Sequence, residues 1–357
     1  MLLLVVQYSI DKTMVKYLIL SLLLIVCEKV HGQNLRFPEL DSLQVETLSS
    51  LEKLTDELYV MDYKAEYHFS EYMTRGIGNL SDTEFFEKSL DTIPSRYFRL
   101  CTAFMARNDK DILVGRNFDW EDIPGLILFT APVNGYKSIS LVPIDLMLNI
   151  NARTDLDNKK LLWAPYFPVD GINDRGLVVI ELAVEGEEVY DENKITMVSL
   201  HLIRLLLDYA SNLDEALALL DNFNNVTSHR CHFFIADSSG NSAIVEYLDN
   251  KIVVTRNRKS WQAVTNTMVY KKSEKQLRKA CNRYKVVSQY LSSNNGLLST
   301  AEAINLLKKV SAKGSYTSQF DLYSSTQWSV VYDLKKRSID VVSRLNFDTI
   351  YHYELNK

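Results

Sequence analysis

The sequence predicts an α+β fold in which helices cover antiparallel sheets. Segments with the alternating apolar pattern of strands are separated by helical segments, and no internal repeat occurs. The chain also contains 20 Tyr and 14 Phe, aromatic residues that favour strands. Its 357 residues are 46% apolar, enough to bury a substantial core, which excludes a disordered or low-complexity protein.

The predicted elements begin near residue 40. Residues 40–90 are predicted to be mainly helical, because apolar residues from Leu43 to Val60 recur at helical spacing and a second short helix is expected to start at 81–84. Strands are predicted at 102–106, 112–114, 126–130, 138–142, 176–182, 232–236, 242–247, 252–255, 328–332 and 338–343. Further helices are predicted at 195–209, after 214, at 275–292 and at 300–310.

The charges of the chain argue against a nucleic-acid partner. The 40 basic and 45 acidic residues are mixed along the sequence, and the formal net charge is −5. Nucleic-acid-binding proteins carry a basic patch or stripe, and the sequence has no such block. We therefore expect no nucleic-acid partner.

Residues 1–32 are predicted to be a signal peptide. Lys16 supplies a positive charge before an apolar run at 17–27, and the small residue Gly32 precedes polar sequence. Met14 is an alternative initiator for this segment. No later segment is apolar for 18 residues, so we expect no membrane-spanning segment after signal removal. The expected location is outside the cytoplasm: secreted, periplasmic or in the endolysosomal lumen.

The cysteines of the exported chain are Cys101, Cys231 and Cys281, because Cys27 leaves with the signal peptide. An odd number of thiols leaves at least one of them outside any intramolecular disulfide. One arrangement joins Cys231 to Cys281 and leaves Cys101 as the remaining thiol. The sequence alone does not choose between this arrangement and three separate thiols.

The most informative residues surround Cys101. This thiol opens a predicted strand, and Arg116 and Asp119 return on the next strand, three residues apart. A cationic neighbour stabilises a thiolate, so this pattern suits a nucleophile beside a charge pair. The alternative is structural, with Cys101 as a buried apolar residue and Arg116 in a surface ion pair.

These residues resemble the choloylglycine hydrolase or linear amide C–N hydrolase group. The likeness begins with Cys101-Thr102, followed by the Gly-Arg-Asn-x-Asp pattern at 115–119. That group includes bile salt hydrolases, penicillin V acylases and, more distantly, acid amidases. The other matching motifs lie at 170–177, 232–240, 245–247, 264–266 and 327–332. The resemblance thus covers residues 101–345, with its motifs in the order of the family.

The resemblance implies an αββα N-terminal-nucleophile hydrolase sandwich whose first strand begins with the catalytic residue. Cys101 would supply the thiol nucleophile and, through its own α-amine, the general base. A free α-amine requires cleavage between Leu100 and Cys101. Residues 33–100 would then be a helical propeptide or α-chain, and residues 101–357 the amidase domain. The 33–100 segment has no Cys, so if it is retained it must be held by packing.

The resemblance also assigns catalytic roles. Asp119 would bind the α-amine, Arg116 would lie beside the sulfur, and Asn266 would donate to the oxyanion of the tetrahedral intermediate. Arg283 matches the arginine that organises this site, and Arg278 is a nearby competitor for that role.

The expected substrate-binding residues are Trp120, Asn173 and Glu181. Trp120 belongs to apolar and aromatic loops at 120–170 that would suit an acyl chain, and Glu181 would be a carboxylate near the sulfur. Bile salt hydrolases have an asparagine where this chain has Ala183, which argues against bile salts as the substrate.

No metal and no cofactor is expected, because nucleophile, base and oxyanion donors all come from the chain. His229, Cys231 and His232 resemble a metal cluster, but neighbours such as Cys231 and His232 face opposite sides of a strand.

The resemblance therefore implies hydrolysis of the amide bond of non-peptide N-acyl compounds, with a small N-acyl amide as the partner. One alternative is an acyltransferase that passes the acyl group to an amine. An alternative of another class is an unprocessed, inactive secreted binding protein. The sequence leaves a homo-oligomer open.

Overall fold

The computed structural model describes residues 40–75, 100–144, 158–184, 190–225, 231–317 and 322–355. The chain divides into two units, residues 1–42 and residues 43–357. Only residues 40–42 of the first unit are described, so the described fold is that of the second unit. The predicted signal peptide lies outside the described residues, and so does the short helix expected to begin at 81 within residues 33–100, which we call the leader.

Strands make up most of the regular structure. In chain order they are β1 (Glu52–Lys53), β2 (Leu58–Tyr63), β3 (Leu100–Arg107), β4 (Ile112–Trp120), β5 (Gly125–Thr130), β6 (Ser138–Pro143), β7 (Asp170–Asn173), β8 (Val178–Ala183), β9 (Ile195–Met197), β10 (Phe223–Asn225), β11 (Cys231–Ala236), β12 (Ser242–Leu248), β13 (Lys251–Arg256), β14 (Trp261–Thr265), β15 (Lys313–Thr317), β16 (Leu322–Asp333), β17 (Ser338–Ser343) and β18 (Tyr351–Glu354).

Helices connect groups of these strands. They are α1 (Ser42–Ser49), α2 (Phe69–Arg75), α3 (Ser199–Tyr209), α4 (Leu213–Leu220), α5 (Glu274–Ala280), α6 (Asn282–Ser293) and α7 (Thr300–Val310), with a 3₁₀ helix at Asn158–Tyr166. Two of them start with capping boxes, in which Ser273 pairs with Gln276 at α5 and Ser299 pairs with Glu302 at α7. These reciprocal hydrogen bonds satisfy backbone groups that a helix start leaves open.

The strands form two large sheets. The first has the order β1-β2-β5-β6-β7-β8-β11-β12-β13, and the second has the order β14-β3-β4-β16-β17-β18, with β15 paired to β16. Within both sheets every neighbouring pair is antiparallel except β2 and β5, which are parallel. The short strands β9 and β10 form a separate parallel pair.

The two sheets face each other and carry helices on their outer sides. Helix α3 packs on β7 and β8 of the first sheet, whereas α6 packs on β3 and β14 and α7 on β4 and β16 of the second. Strands β3 and β8 are in contact across the interface between the sheets. Every residue of β4 is buried, as expected for a strand covered on both faces. The predicted α+β arrangement of helix-covered antiparallel sheets is therefore confirmed.

The prediction of a mainly helical leader is wrong between residues 52 and 63. Residues 58–63 form β2, which pairs with β5 from Leu58–Gly125 to Tyr63–Thr130. The apolar spacing that suggested a helix belongs instead to a strand in which Leu58, Met61 and Tyr63 are buried, and Asp62 is exposed. Pairing with a distant strand here overrides a local pattern that is ambiguous over short segments.

Two other predicted helices begin later or are divided. Residues 195–197 form β9 rather than a first helical turn, because they pair with residues 223–225. The predicted helix at 275–292 is divided at Cys281, whose φ of −139° and ψ of 121° are extended rather than helical. No disulfide joins Cys281 to Cys231, which lies in β11. None of the helices in the described residues is long and apolar enough to cross a membrane.

Candidate active site

The register of β3 and β4 places Cys101 beside Asp119. Cys101 is the second residue of β3, and it is buried. In the antiparallel pair, Phe118 lies opposite Cys101 and Asp119 lies opposite Leu100. The strand pairing therefore places the backbone of Asp119 next to the Leu100–Cys101 peptide bond, and Arg283 contacts both the Asp119 carboxylate and the Cys101 carbonyl.

The backbone of Cys101 is held by two side chains from distant parts of the chain. Its N–H donates to Oδ1 of Asn266 at 2.5 Å, and its carbonyl accepts from the guanidinium of Arg283. Arg283 also donates to Asn266 Oδ1 at 3.0 Å and to Thr102 Oγ1 at 2.9 Å. The Asn266 amide donates to the Ala183 carbonyl at 2.8 Å. Asn266 follows β14, the neighbour of β3, and this pairing brings it to the start of β3.

The structure distinguishes the two candidate arginines. Arg278 lies in α5 and bonds Glu274 in its own helix and the Ser288 hydroxyl at 2.9 Å. Arg283 lies in the first turn of α6, and it is the arginine that contacts Cys101.

Arg116 is fully buried between Asp170 and Cys101. It forms an ion pair with Asp170 and donates to the carbonyls of Asn117 at 2.8 Å and Glu181 at 3.1 Å. Burial by itself lowers the pKa of Arg116, but the negative charge of Asp170 and then the interaction with Cys101 outweigh it and raise the pKa. The side chain therefore stays positively charged next to Cys101.

Asp119 is a buried carboxylate whose two oxygens have different partners. Its Oδ1 accepts from the Thr326 hydroxyl at 2.5 Å. Its Oδ2 lies 3.6 Å from Arg283 Nη1 and accepts no hydrogen bond from the described residues. Burial raises the pKa of Asp119 to about 6, although the Arg283 charge and the Thr326 hydroxyl act in the opposite direction.

A pH-dependent stability is expected from Asp119. Its pKa is about 6 in the folded chain and 3.8 for an ordinary aspartate, so between these values the folded chain binds the proton more tightly. The residue therefore lowers stability increasingly as pH rises from about 4 to about 6. The test compares Cys101→Ala, which keeps Asp119, with the double variant Cys101→Ala/Asp119→Asn. Between about pH 4 and 6, the free energy of unfolding measured by urea denaturation should fall by about 1–3 kcal/mol more in the variant that keeps Asp119. Equal pH slopes in the two variants would contradict this assignment.

The three residues expected to bind substrate have different surroundings. Trp120 ends β4 and is stacked on Phe118, with ring centroids 5.4 Å apart. The Glu181 carboxylate accepts from the Ser199 hydroxyl at 3.3 Å, whereas its backbone carbonyl bonds Arg116.

The side chain of Asn173 makes its hydrogen bonds within the β7–β8 turn and to the end of α3. Its amide donates to the carbonyls of Leu207 at 3.0 Å and Ala210 at 2.7 Å. Its Oδ1 accepts from the backbone N–H groups of Arg175 at 3.1 Å and Leu177 at 3.0 Å. This side chain joins the β7–β8 turn to the end of α3, which is a structural role.

The apolar loops expected near the site are described only in part. Residues 145–157, which include most of the apolar run, lie outside the described residues. Ile123, Leu126 and Phe167 are buried core residues, and Tyr166 packs among aromatic rings. His229 of the suspected metal cluster also lies outside the described residues. The described ranges hold no group of three or more His, Cys, Asp or Glu side chains placed to bind a metal.

Two residues that contact the candidate site residues were not predicted from the sequence. Asp170 pairs with Arg116, and Thr326 donates to Asp119. Asp170 opens a motif that resembles the family, so its chemistry could have been anticipated. Thr326 precedes a recognised motif by one residue but has no signal of its own, because a lone threonine is common in strands.

The two facing sheets with helices on their outer sides have the N-terminal-nucleophile hydrolase fold, which defines a class of protein. Penicillin V acylase from Agrobacterium tumefaciens is similar, with TM-score 0.55 and 22% identity over 72% of this chain and 87% of that protein. Two variants of conjugated bile acid hydrolase from Clostridium perfringens are also similar. One has TM-score 0.55 and 17% identity over 72% of this chain and 93% of that one, and the other has 0.54 and 16% over 72% and 92%. The predicted αββα sandwich is confirmed.

The sequence places the chain in a family within this class. Residues 167–346, about half of the chain, match the family model of acyl-coenzyme A:6-aminopenicillanic acid acyl-transferase. The chain belongs to that family, which confirms the family resemblance inferred from the motifs. The comparison with curated proteins gave no match.

Proposed function

We propose that this protein hydrolyses the amide bond of non-peptide N-acyl compounds, with Cys101 as the nucleophile. One observation carries the proposal: Arg116, Asn266 and Arg283 all interact with Cys101, and Asp119 lies opposite Leu100 on the paired strand, with its carboxylate 3.6 Å from Arg283. The family match, over residues 167–346, and the fold support acyl-transfer chemistry for this chain.

In this proposal the chain matures by cleavage between Leu100 and Cys101. The Cys101 Sγ attacks the Leu100 carbonyl carbon, the peptide C–N bond breaks, and the thiol proton passes to the Cys101 nitrogen. Water then hydrolyses the thioester. The products are a Leu100 carboxylate and a Cys101 residue with a regenerated thiol and a free α-amine.

The same residue then provides nucleophile and base for the substrate. The α-amine takes the thiol proton as Sγ attacks the acyl carbon, and it returns a proton to the leaving amine. Oδ2 of Asp119 would accept a hydrogen bond from this α-amine, which satisfies an oxygen that has no donor among the described residues of the uncut chain.

The oxyanion of the tetrahedral intermediate would be stabilised by Asn266. The Asn266 amide nitrogen carries two hydrogens, and one of them bonds the Ala183 carbonyl. The second hydrogen can donate to the oxyanion, where negative charge develops only as the reaction proceeds. Arg116 contributes a fixed positive charge next to the sulfur.

The leader is proposed to stay bound after cleavage as a non-covalent α-chain. Its strand β2 lies within the first sheet, between β1 and β5. Its Tyr67 hydroxyl bonds both carboxylate oxygens of buried Asp208, at 3.0 and 2.9 Å, and Tyr72 packs edge-to-face on His201. The proposed boundaries are 1–32 for a signal peptide, 33–100 for the α-chain and 101–357 for the amidase domain of an exported protein.

A second candidate function is acyl transfer to an amine instead of water. The observation that favours it is the match to an acyl-transferase family model. Both reactions share the acyl-enzyme at Cys101 and differ only in the acceptor. Adding candidate amines to the assay and measuring new amides against free acid separates the two functions.

The proposed function is tested on the purified full-length protein as it is secreted. Intact mass and N-terminal sequencing should detect a fragment that begins at Cys101, and N-acyl amides should release free amine. An uncut protein whose Cys101 does not react with thiol reagents would support the secreted binding protein instead. Full activity of an uncut 33–357 chain would overturn the mechanism.

Acyl length is expected to control the rate. Trp120 ends β4, the strand that pairs with the start of β3, and an apolar acyl group gains about 0.8 kcal/mol for each CH₂ that it buries against apolar side chains. In a series of N-acyl amides with one common amine, kcat/KM should rise about three- to fourfold per carbon until the pocket is full. A flat series, or a preference for charged acyl groups, would remove the apolar-acyl assignment and leave the amidase proposal in place.

A further inference from the structure

A buried carboxylate outside the catalytic group holds the loop that carries Asn266. Glu246 lies in β12 and is completely buried. Its Oε1 accepts from the backbone N–H of Val269 at 2.6 Å, and its Oε2 accepts from the backbone N–H of Tyr270 at 2.7 Å. One side chain thus satisfies two consecutive backbone donors.

The carboxylate is itself supported by the next strand. His232 in β11 is also completely buried, and its Nδ1 lies 3.3 Å from Oε1 of Glu246. A buried carboxylate is costly unless it is hydrogen-bonded, and hydrogen bonds to an ionised acceptor are stronger than neutral ones. The loop is therefore tied to the interior of the first sheet.

The tied loop connects directly to the candidate active site. Asn266 is the first residue after β14, and three residues separate it from Tyr270. Strand β14 belongs to the second sheet, whereas Glu246 belongs to the first. The hydrogen bonds of Glu246 therefore fix the loop across the space between the sheets, where Asn266 meets the Cys101 backbone and Arg283.

We propose that Glu246 is a positioning residue that holds Asn266 against Cys101 through the backbone N–H groups of Val269 and Tyr270. This inference rests on the proposed function, because Asn266 is the oxyanion donor in that mechanism. A loop free to shift would move the donor away from the reacting carbonyl, and a misplacement of about 1 Å can cost about 10²-fold in rate.

The test compares Glu246→Gln with Asp237→Asn. Asp237 is also a buried carboxylate, and it accepts hydrogen bonds from the backbone N–H groups of Leu213 and Ser239, each at 3.0 Å. It directly follows the last residue of β11, whereas Cys231 is the first residue of that strand. A glutamine side chain in place of Glu246 keeps the shape but turns an amide hydrogen toward one of the two N–H groups. Glu246→Gln should lower kcat about 10- to 100-fold with KM nearly unchanged. Asp237→Asn should lose similar thermal stability and keep kcat.

Hydrogen exchange tests, without requiring catalysis, whether the hydrogen bonds of Glu246 to Val269 and Tyr270 hold the loop; we call these two bonds the tether. In the uncut Cys101→Ala chain, adding Glu246→Gln should speed exchange at the amides of residues 269, 270 and 101. Adding Asp237→Asn should leave these three amides unchanged. If the wild-type protein has no amidase activity but exchange changes as expected, the proposed function fails while the tether stands.

Two results would overturn the positioning role. One is an unchanged kcat in fully cleaved Glu246→Gln protein, and the other is an equal loss of kcat in Asp237→Asn. If Glu246→Gln does not fold, Glu246→Asp takes its place, since it keeps the charge but cannot reach both N–H groups. The shorter acid should show the same selective loss of kcat, and a normal kcat there would equally reject the inference.

Discussion

Cys101→Ala is expected to leave the Leu100–Cys101 bond intact and to abolish amide hydrolysis. The same sulfur atom would cut the chain and attack the substrate, so its removal should stop both reactions at once. Intact mass should detect the uncut chain, and amine release should fall to the uncatalysed rate. The uncut protein should still fold, because alanine fits a strand whose interior residues are all buried.

Cys281→Ala provides the matched control. Cys281 is partly exposed and lies at the junction between α5 and α6, outside the sheets. This variant should be cleaved and active like the wild type. Cleavage of the Cys101→Ala chain at the same bond would assign maturation to another protease, and residual turnover by that variant would reject Cys101 as the nucleophile.

Asn266→Ala is expected to lower kcat by about 10²–10³-fold while the fold is retained. The side chain would donate to a charge that exists only in the transition state, so kcat should fall while KM stays nearly constant. The measurement is steady-state kinetics on protein whose cleavage state has been checked by mass. Asn266 also bonds the Cys101 N–H, so slower maturation of this variant is expected as well.

Asn222→Ala is a suitable control for the Asn266 experiment. The Asn222 amide likewise donates to one backbone carbonyl, that of Ala218 at 3.0 Å, but it lies beyond α4 on the outer side of the first sheet. This variant should keep both kcat and maturation. An unchanged kcat in Asn266→Ala would reassign Asn266 to a structural role after β14.

The arrangement of the candidate site could be predicted where its residues are close in the sequence. Cys101, Arg116 and Asp119 belong to one β-hairpin, and hairpin register follows from local pattern and turn length. Asn266 and Arg283 came from the family resemblance, and both contact Cys101 in the structure. The motif at 170–177 was recognised as well, but its pairing of Asp170 with Arg116 was not.

Contacts between distant segments could not be predicted from the sequence. The helical spacing of residues 43–60 gave no indication that β2 would pair in parallel with β5, since that pairing depends on a strand about 67 positions later, as in Leu58–Gly125. The assignment of Arg283 rather than Arg278 to the site also required the packing of α6 on β3 and β14. The hydrogen bonds of Thr326 to Asp119 and of Val269 to Glu246 were not predicted for the same reason, because each joins segments that are distant in the chain.

The sequence by itself determined the α+β class, the family and the residue types of the proposed nucleophile and its charged neighbours. These properties depend on composition, on short periodic patterns and on motifs read within one or two elements. The tertiary structure decided which leader segments become strands, which arginine meets Cys101, and how Glu246 ties the loop of Asn266 to the opposite sheet. The physical reason is that side-chain hydrogen bonds act over about 3 Å, so their partners are known only when packing has brought distant strands together.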